Sequence, residues 1–232
     1  MAGKSQRFFD AGYTAPKALL PIGKEPMIEA VLNNLAYDDA EYTIIINKNQ
    51  ITKEQLGLGN INIIEIDYVP TGPACSAALA SEFINNDIPL IVTNCDQIIE
   101  DLNIENFIEY CDYNKLDGCL GTFHSTSNKN SYVQVDDNNV ITKLREKEVI
   151  SSIATNGFHY WKRGKDFINS VEQMIANKDT VNSEYYISTS YNYLISSGMK
   201  LMPYAFNLHF PIGTPTDYET YVKRISIKND NI

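Results

Sequence analysis

The chain has 232 residues and a formal net charge of -10, with 44% hydrophobic and 21% charged residues. This composition is typical of a globular protein, and the length suffices for one α/β domain with a sizeable core. The acidic balance argues against nucleic acid or an anionic membrane as a partner, because the long-range field of the protein repels polyanions. A small anionic ligand is compatible with this charge if the cations are concentrated locally.

The four cysteines, Cys75, Cys95, Cys111 and Cys119, include no CxxC pair. Their spread is typical of reduced thiols and not of a disulfide framework or a zinc site. The sequence contains no signal-peptide pattern and no apolar run long enough to span a membrane. We therefore predict a cytoplasmic protein, and the sequence leaves a homo-oligomer open.

The first half of the chain alternates helical and strand-like segments. A helix is predicted for EPMIEAVLNNL, and buried strands are predicted for EYTIIIN, INIIEID and IPLIVTN, with the helical GPACSAALASEFI before the last strand. Short apolar strands that alternate with helices are typical of βαβ units and a mainly parallel sheet. Ligands of such sheets bind at the carboxyl ends of the strands.

The second half has a more β-rich pattern. Strands are predicted for DGCLGTFH, SYVQV, VITKLRE and SSIATNGFHYW, and the turn DDNN joins the second and third of these as a hairpin. Helices are predicted for KDFINSVEQMIA and EYYISTSYNYLISSG, and GTPTDYETYVKRI reads as a turn that leads into a last helix. The pattern indicates an α/β fold with a small β-rich insertion.

The opening loop, AGKSQRF, combines successive backbone N–H groups with Arg7, which is an arrangement suited to phosphate. Lys17 follows in PKALLPI, where Pro16 restricts the local backbone. The strand IPLIVTN runs into CDQ, so Asp96 lies at a carboxyl edge, where a carboxylate can hold Mg²⁺ against a triphosphate. Displacement at phosphorus needs this positioning and charge neutralisation more than covalent help from the protein.

These segments resemble the signature of the sugar-1-phosphate nucleotidyltransferases, the pyrophosphorylases that make nucleotide sugars. The loop and PKALLPIGKEPMI are followed, in the order of that family, by TGPACSAALA, NCDQ, LREKE, NGFHYW, SEYYIS and GTPTD. The resemblance covers nearly the whole chain. It implies a Rossmann-like, mainly parallel sheet with helices on both faces, in the manner of the nucleotide-diphospho-sugar transferases.

The resemblance also implies an activity, in which an NMP group passes from an NTP to a sugar 1-phosphate or a related phosphorylated acceptor and pyrophosphate is released. Surface-glycan precursor synthesis is the implied purpose. A single domain over residues 1–232 is expected, with a nucleotide-binding half over about 1–122 and an acceptor-binding half over about 123–232.

The family's functional residues carry over to three groups in this chain. Arg7 and Lys17 are expected to bind the triphosphate and stabilise charge at the α-phosphate, and Asp96 is expected to hold Mg²⁺. The implied nucleotide-contacting residues are Ala2, Gly3, Lys4, Ser5 and Gly72. The implied acceptor-binding residues are Glu146, Lys147, Asn156 and Gly157.

The sequence departs from the family signature at several positions. Ser5 replaces the second loop glycine, Ala18 replaces a proline, and Glu25 stands where a lysine is common. Many members have a second metal aspartate where this chain has Pro211, and Asp217 lies too far along to replace it directly. Because members of the family also carry an apolar strand before the loop, we expect such a strand upstream of Met1, or another segment or a partner chain in its place.

Less specific interpretations remain beside the functional ones. Asp96 could cap a turn, and Glu146 with Lys147 could be a surface pair on a hairpin. The aromatic residues of EYYISTSYNYL recur at helical spacing and are expected in the core, with Tyr186 or Asn192 as the ones within reach of substrate. For the whole chain, the alternatives are a metal-dependent glycosyltransferase and an inactive nucleotide-binding homologue.

Overall fold

The computed structural model describes residues 5–59 and 61–229 and divides the chain into two compact units. The first unit combines the described parts of Met1–Val69, Asn94–Ile104 and Leu208–Ile232, and the second combines Pro70–Thr93 and Glu105–Asn207. Each unit is therefore closed by segments from distant parts of the chain. These boundaries differ from the predicted functional halves, which remain a prediction.

The first unit contains four helices and six short strands among its described residues. The helices are α1 (Gln6–Asp10), α2 (Met27–Asn34), α3 (Lys53–Leu56) and α9 (Pro215–Asn229). The strands are β1 (Pro21–Ile22), β2 (Glu25–Pro26), β3 (Thr43–Asn47), β4 (Asn62–Ile66), β6 (Gln97–Ile99) and β12 (His209–Pro211). A single 3-10 turn, Lys17–Leu19, precedes β1.

The strands of the first unit form separate pairs. β3 and β4 are parallel, whereas β1 pairs with β2 and β6 pairs with β12 in antiparallel fashion. Among the residues that the structure describes, β3 pairs with β4 alone. A strand upstream of Met1 stays a prediction.

Two apolar clusters hold the first unit together. One packs Phe8 of α1 against Met27 of α2 and Tyr218 of α9, all of them buried. The other joins Ile28 of α2 to Ile46 of β3. Helix α1 has only five residues and depends on this packing, since a helix so short has little stability of its own.

The second unit contains a mixed sheet and five helices within the described residues. The helices are α4 (Pro73–Ala78), α5 (Ser81–Ile84), α6 (Ile104–Tyr113), α7 (Gly164–Ala176) and α8 (Ile187–Ser196). The strands are β5 (Leu90–Thr93), β7 (Gly118–His124), β8 (Ser131–Val135), β9 (Ile141–Glu146), β10 (Ile153–Trp161) and β11 (Leu201–Ala205).

The sheet of the second unit has the order β11-β7-β10-β8-β9, and β5 also pairs with β10. β11 and β7 are parallel, and the other neighbours are antiparallel. Its core stacks Trp161 on Tyr191, with ring centroids 4.5 Å apart, so that α8 packs on the sheet through an aromatic contact. The α/β class is thereby confirmed, with helices and a mixed parallel and antiparallel sheet.

Most predicted elements coincide with those of the structure. The predicted helix over GPACSAALASEFI is instead two short helices, α4 and α5, and the predicted helix over EYYISTSYNYLISSG begins only at Ile187. Helix α6 was not predicted. No helix within the described residues is long and apolar enough to cross a membrane.

Candidate functional site

The opening loop of the first unit is tied to the 3-10 turn that carries Lys17. Ser5 precedes α1 with a left-handed backbone (φ 51°), and its hydroxyl accepts a hydrogen bond of 3.4 Å from the Lys17 backbone N–H. The left-handed conformation is the one that the family glycine would adopt most easily. Serine keeps this conformation here and adds a side-chain contact. Ala2, Gly3 and Lys4 lie outside the described residues.

Lys17 and Asp96 form an ion pair, in which the Lys17 ammonium donates to Oδ2 of Asp96. Their side chains are 22% and 25% exposed, whereas the surface pair Lys48–Asp67 is 51% and 62% exposed. Partial burial strengthens the attraction between opposite charges, because water screens it less. The structure therefore brings two of the predicted catalytic residues together across 79 positions of sequence.

The pKa of Lys17 is raised above its ordinary value. Burial acts to lower it, but the neighbouring Cys95 and Asp96 raise it more, while the positive charge of Arg7 opposes them. Lys17 is thus protonated at neutral pH and close enough to Arg7 for their charges to interact. Arg7 itself is exposed at the surface of α1. A cation pair of this kind attracts a polyanionic ligand such as a triphosphate.

Gly213 explains how the chain approaches Asp96 so closely. A Cβ atom at Gly213 would lie 2.7 Å from Oδ2 of Asp96, which is closer than real Cβ contacts allow. The backbone N–H of Ile212 also donates to the Asp96 carbonyl over 2.8 Å. The segment before α9 therefore packs on the loop after β5. The sequence interpretation included this glycine only as part of a motif and missed its steric role.

In the second unit, Gly72 lies against another part of the backbone. Its φ of +102° is a conformation that favours glycine, and a Cβ there would lie 2.5 Å from both N and O of Tyr185. Tyr185 donates to the Thr71 carbonyl and accepts from the Ala74 N–H, each over 3.0 Å. The requirement for glycine is thus met within the protein, and its contact with a nucleotide stays a prediction.

Glu146 and Lys147 lie at the end of β9, where several side chains converge. Ser131 and Ser188 both donate their hydroxyl hydrogens to Oε2 of Glu146, the latter over 2.7 Å. The Lys147 ammonium donates to the Tyr186 hydroxyl, which in turn donates to Glu184 over 2.5 Å. Hydrogen bonding to Tyr186 raises the pKa of Lys147, so the ammonium is charged at neutral pH.

Asn156 and Gly157 occupy an irregular stretch of β10. The register between β10 and β7 shifts between Thr155 and His159, which indicates a bulge at this point. The Asn156 side chain is buried and its Oδ1 accepts from the Phe158 N–H over 3.1 Å, while its Nδ2 has no hydrogen-bond partner within the described part of the chain. A buried unpaired donor is uncommon and suits a ligand or an ordered water.

A family model described as nucleotidyl transferase matches residues 1–224. The chain belongs to the nucleotidyl transferase family. Comparison with curated proteins gives no match.

Among solved structures, the fold is similar to that of a nucleoside-diphosphate-sugar pyrophosphorylase from Vibrio cholerae RC9, with a TM-score of 0.81 and 22% identity over 96% of this chain and 98% of that one. A Bacillus anthracis protein assigned as a glucose-1-phosphate thymidylyltransferase, in complex with sucrose, has a TM-score of 0.78 and 20% identity over 96% and 92% of the two chains. A UDP-glucose pyrophosphorylase complexed with UDP-glucose has a TM-score of 0.77 and 15% identity over 98% and 96%. At these identities the likeness concerns the fold.

The residues of this nucleotidyl transferase suit a divalent metal that is bound in part by substrate. Asp96 supplies one carboxylate, and no cluster of three or more histidine, cysteine or acidic side chains occurs within residues 5–59 and 61–229. Mg²⁺ is commonly held by one or two carboxylates together with substrate phosphates and waters. The Asp96 carboxylate fits that role, with Lys17 as the present partner of its Oδ2.

The positions considered for a second metal ligand have other contacts. Pro211 of β12 pairs with Gln97 of β6, and Gln97 is the residue that follows Asp96 in the sequence. Asp217 lies in the first turn of α9 instead, where Thr214 caps the helix: the Thr214 hydroxyl oxygen accepts from the Asp217 N–H over 3.2 Å, and this hydroxyl donates to the Asp217 carboxylate over 2.6 Å. The nearby His209 contacts Gln97, and burial lowers its pKa to about 4, so it is neutral at pH 7.

Proposed function

We propose that this nucleotidyl transferase moves an NMP group from an NTP to a sugar 1-phosphate or a related small phosphorylated acceptor and releases pyrophosphate. The single observation that carries the proposal is the Lys17–Asp96 pair in the first unit. It joins a cation suited to phosphate with a carboxylate suited to Mg²⁺, within a chain that matches the family model along residues 1–224. The resemblance of the surrounding motifs supports the same reaction.

The reaction needs one displacement at phosphorus. An oxygen of the acceptor phosphate forms a bond to the α-phosphorus of the NTP, and the bond from that phosphorus to the bridging oxygen of the β-phosphate breaks. The electron pair leaves with pyrophosphate. Negative charge grows on the α-phosphate oxygens during the displacement, so fixed cations beside it stabilise the transition state more than the ground state.

In this proposal Lys17 and Arg7 supply those cations, and the backbone around Ser5 and Gly72 contacts the nucleotide. Asp96 would hold Mg²⁺, which when bound neutralises phosphate charge. Lys17 then exchanges its contact with Asp96 for a contact with phosphate. This exchange accounts for a lysine that is charged, partly buried and paired with the proposed metal ligand.

The acceptor is assigned to the residues at the end of β9 and in the bulge of β10. Lys147 is a cation for the acceptor phosphate, and Glu146 is an acceptor for its hydroxyl groups. The unpaired Nδ2 of Asn156 supports a further polar contact, and Gly157 lies beside it in the chain. A ligand with both a phosphate and hydroxyl groups, such as a sugar phosphate or a polyol phosphate, satisfies this combination.

The test is a pyrophosphate-release screen with Mg²⁺. ATP, CTP, GTP, UTP and dTTP are each combined with glucose 1-phosphate, mannose 1-phosphate, glycerol 3-phosphate and ribitol 5-phosphate. Pyrophosphate that depends on both substrates supports the proposal, and its absence from every combination contradicts it. A parallel arm with nucleotide sugars and sugar acceptors detects release of a nucleoside diphosphate, which is the result expected of a metal-dependent glycosyltransferase.

A second candidate is an inactive homologue that binds nucleotide without turnover. Pro211 at the position of a second metal ligand favours it, because a metal held by a single carboxylate is less firmly placed. Calorimetry with each NTP and Mg²⁺ separates the two candidates. Saturable nucleotide binding without pyrophosphate release in the whole screen supports the inactive homologue, and turnover excludes it.

The remaining parts of the proposal follow from the substrates. An NTP and a small phosphorylated acceptor are metabolites of the cytoplasm, and their product is an activated precursor of the kind used for surface glycans. The substrates, not nucleic acid or a membrane, are the partners expected of a chain with a net charge of -10. Growth in labelled sugar, with and without the gene, and isolation of nucleotide-linked intermediates would test this purpose.

A further inference from the structure

Helix α8 and the residue before it contact the end of β9 and the residue after it at three points. Asn192 bonds both backbone groups of Leu144, accepting from its N–H over 3.1 Å and donating to its carbonyl over 3.2 Å. Ser188, one helical turn earlier, bonds the Glu146 carboxylate, and Tyr186, just before the helix, bonds the Lys147 ammonium. Asn192 and Ser188, one helical turn apart, thus reach two alternate residues of β9, and Tyr186 reaches the residue that follows the strand.

Glu146 also has a contact from the other side. Ser131 opposes Glu146 directly in the β8–β9 ladder, and its hydroxyl donates to the same Oε2 that Ser188 contacts. One carboxylate oxygen therefore receives two hydroxyl hydrogens from two different elements. A carboxylate can accept about four hydrogen bonds over its two oxygens, so the other oxygen keeps its capacity for a ligand.

We propose that Ser131 and Ser188 are positioning residues that fix Glu146 as a hydrogen-bond acceptor for the hydroxyl groups of the acceptor substrate, and so select a hydroxylated acceptor. This inference rests on the proposed function. Neither serine was assigned a role by the sequence. Each is placed by packing: Ser188 is 4% exposed near the start of α8, and Ser131 is fixed by the register of the β8–β9 hairpin.

The selectivity follows from the chemistry of the hydrogen bonds. Two serine hydroxyls that donate to Glu146 are satisfied when its carboxylate is ionised, and an ionised carboxylate can only accept. A substrate hydroxyl can donate to the free oxygen, whereas a substrate without hydroxyl groups leaves it unpaired. A fixed carboxylate also loses less side-chain entropy when the substrate binds, because its rotamer is already restrained.

The chain offers a matched control in Ser190. Its hydroxyl is fully buried on the same helix and donates to the Ile187 carbonyl over 2.7 Å, without contact to Glu146. Ser190→Ala removes the same atom from the same helix, so it reports the effect of a lost buried hydroxyl on the fold. Ser188→Thr keeps a hydroxyl at the proposed position and is the conservative variant.

The experiment measures KM for both substrates and kcat, in the full-length protein, with the best NTP and acceptor of the pyrophosphate screen. Methyl phosphate, which has no hydroxyl group, is a second acceptor. For Ser131→Ala and Ser188→Ala we expect KM for the hydroxylated acceptor to rise about three- to tenfold, since either serine can still hold Oε2 alone. For the double variant we expect a rise of about thirtyfold or more. We expect KM for the NTP, and kcat/KM with methyl phosphate as the acceptor, to equal the wild-type values.

Recovery in Ser188→Thr and wild-type constants in Ser190→Ala complete the expected result. The inference is overturned if the serine variants resemble Ser190→Ala, or if KM for NTP, kcat and methyl phosphate turnover change in parallel with KM for the acceptor. In either of these outcomes the wild-type enzyme still releases pyrophosphate, so the proposed function stands. A wild type without turnover overturns the proposed function and this inference with it.

Discussion

The two units carry their candidate residues in different ways. In the first unit, Lys17 and Asp96 contact each other directly, the Ser5 hydroxyl accepts from the Lys17 backbone N–H, and Gly213 lies against the Asp96 carboxylate. In the second unit, Glu146 and Lys147 have separate sets of side-chain partners and do not rely on each other. In a direct ion pair, each group must give up its partner before it can bind a ligand. A side chain that is held in place by neighbouring hydrogen bonds can bind a ligand without losing those bonds. The first arrangement suits charge neutralisation, and the second suits selection of a substrate.

The largest effect is expected from Lys17→Ala. Because Lys17 is proposed to meet charge that grows in the transition state, kcat should fall about 100- to 1,000-fold, while NTP affinity falls much less. Steady-state kinetics and calorimetry measure the two quantities. Lys48→Ala removes the lysine of an exposed ion pair in the same unit and should stay near wild type. A Lys17→Ala variant within a few-fold of wild-type kcat would remove Lys17 from the reaction.

Asp96→Asn should abolish the normal response to metal. It keeps the shape of the side chain but removes the charge that would hold Mg²⁺ and that now pairs with Lys17. We expect activity to fall by about 100-fold or more at moderate Mg²⁺ and to recover only in part at high Mg²⁺. Asp67→Asn, in the exposed pair with Lys48, is the control. An unchanged dependence of rate on Mg²⁺ concentration would instead assign Asp96 to a structural role.

Gly213→Ala tests the close approach to Asp96. The added Cβ would lie 2.7 Å from Oδ2, so the carboxylate must shift. Displacement of a catalytic group by a fraction of an ångström to one ångström is expected to lower kcat/KM about ten- to 100-fold. Gly59→Ala is the matched control, because a Cβ there meets nothing within 4 Å. Equal kcat/KM for the two alanine variants would show that Asp96 tolerates the shift.

The smallest effect concerns stability in the second unit. Burial lowers the pKa of His159 to about 3. Between its ordinary pKa of about 6.5 and that value the unfolded chain binds one more proton, so stability falls as the pH falls. From about pH 7 to about pH 5 this costs about 2 kcal/mol of unfolding free energy.

Urea unfolding of His159→Phe at both pH values measures this term. The variant should lose about 2 kcal/mol less than the wild type between them. His124→Phe, at an exposed position, should keep the wild-type dependence. If His159→Phe also keeps it, the histidine is not neutral in the folded protein.

The comparison of the units also explains what the sequence could predict. Ser5, Lys17 and Asp96 each lie in a short contiguous motif that could be recognised in the sequence. In the structure Lys17 contacts both of the others. Ser131 and Ser188 belong to no such motif. Their role depends on the β8–β9 register and on the turn of α8 that faces β9, which are properties of tertiary packing. A serine opposite a glutamate in a predicted hairpin was the one available signal.

The same reasoning applies to the elements. Strand β3 is predicted by its continuous apolar run, and β8 and β9 are predicted by the turn DDNN that joins them as a hairpin. The segment after Gly72 was predicted as one helix, but the helix is interrupted at Leu79–Ala80, where the sequence has no helix-breaking glycine or proline. Helix α6 was missed although it carries Phe107 into an aromatic cluster with Phe158 and Tyr204. Long-range packing, which local patterns do not contain, determines both.

The activity that we propose is transfer of a nucleotidyl group to a phosphorylated, hydroxylated acceptor. Phosphorus NMR of a reaction with Mg²⁺, the NTP and the acceptor tests it most directly, because it follows every phosphate at once. We expect a new pair of diphosphate resonances from the nucleotide-linked acceptor and pyrophosphate in equal amount. Orthophosphate alone, a nucleoside diphosphate, or unchanged resonances with every substrate pair would contradict it.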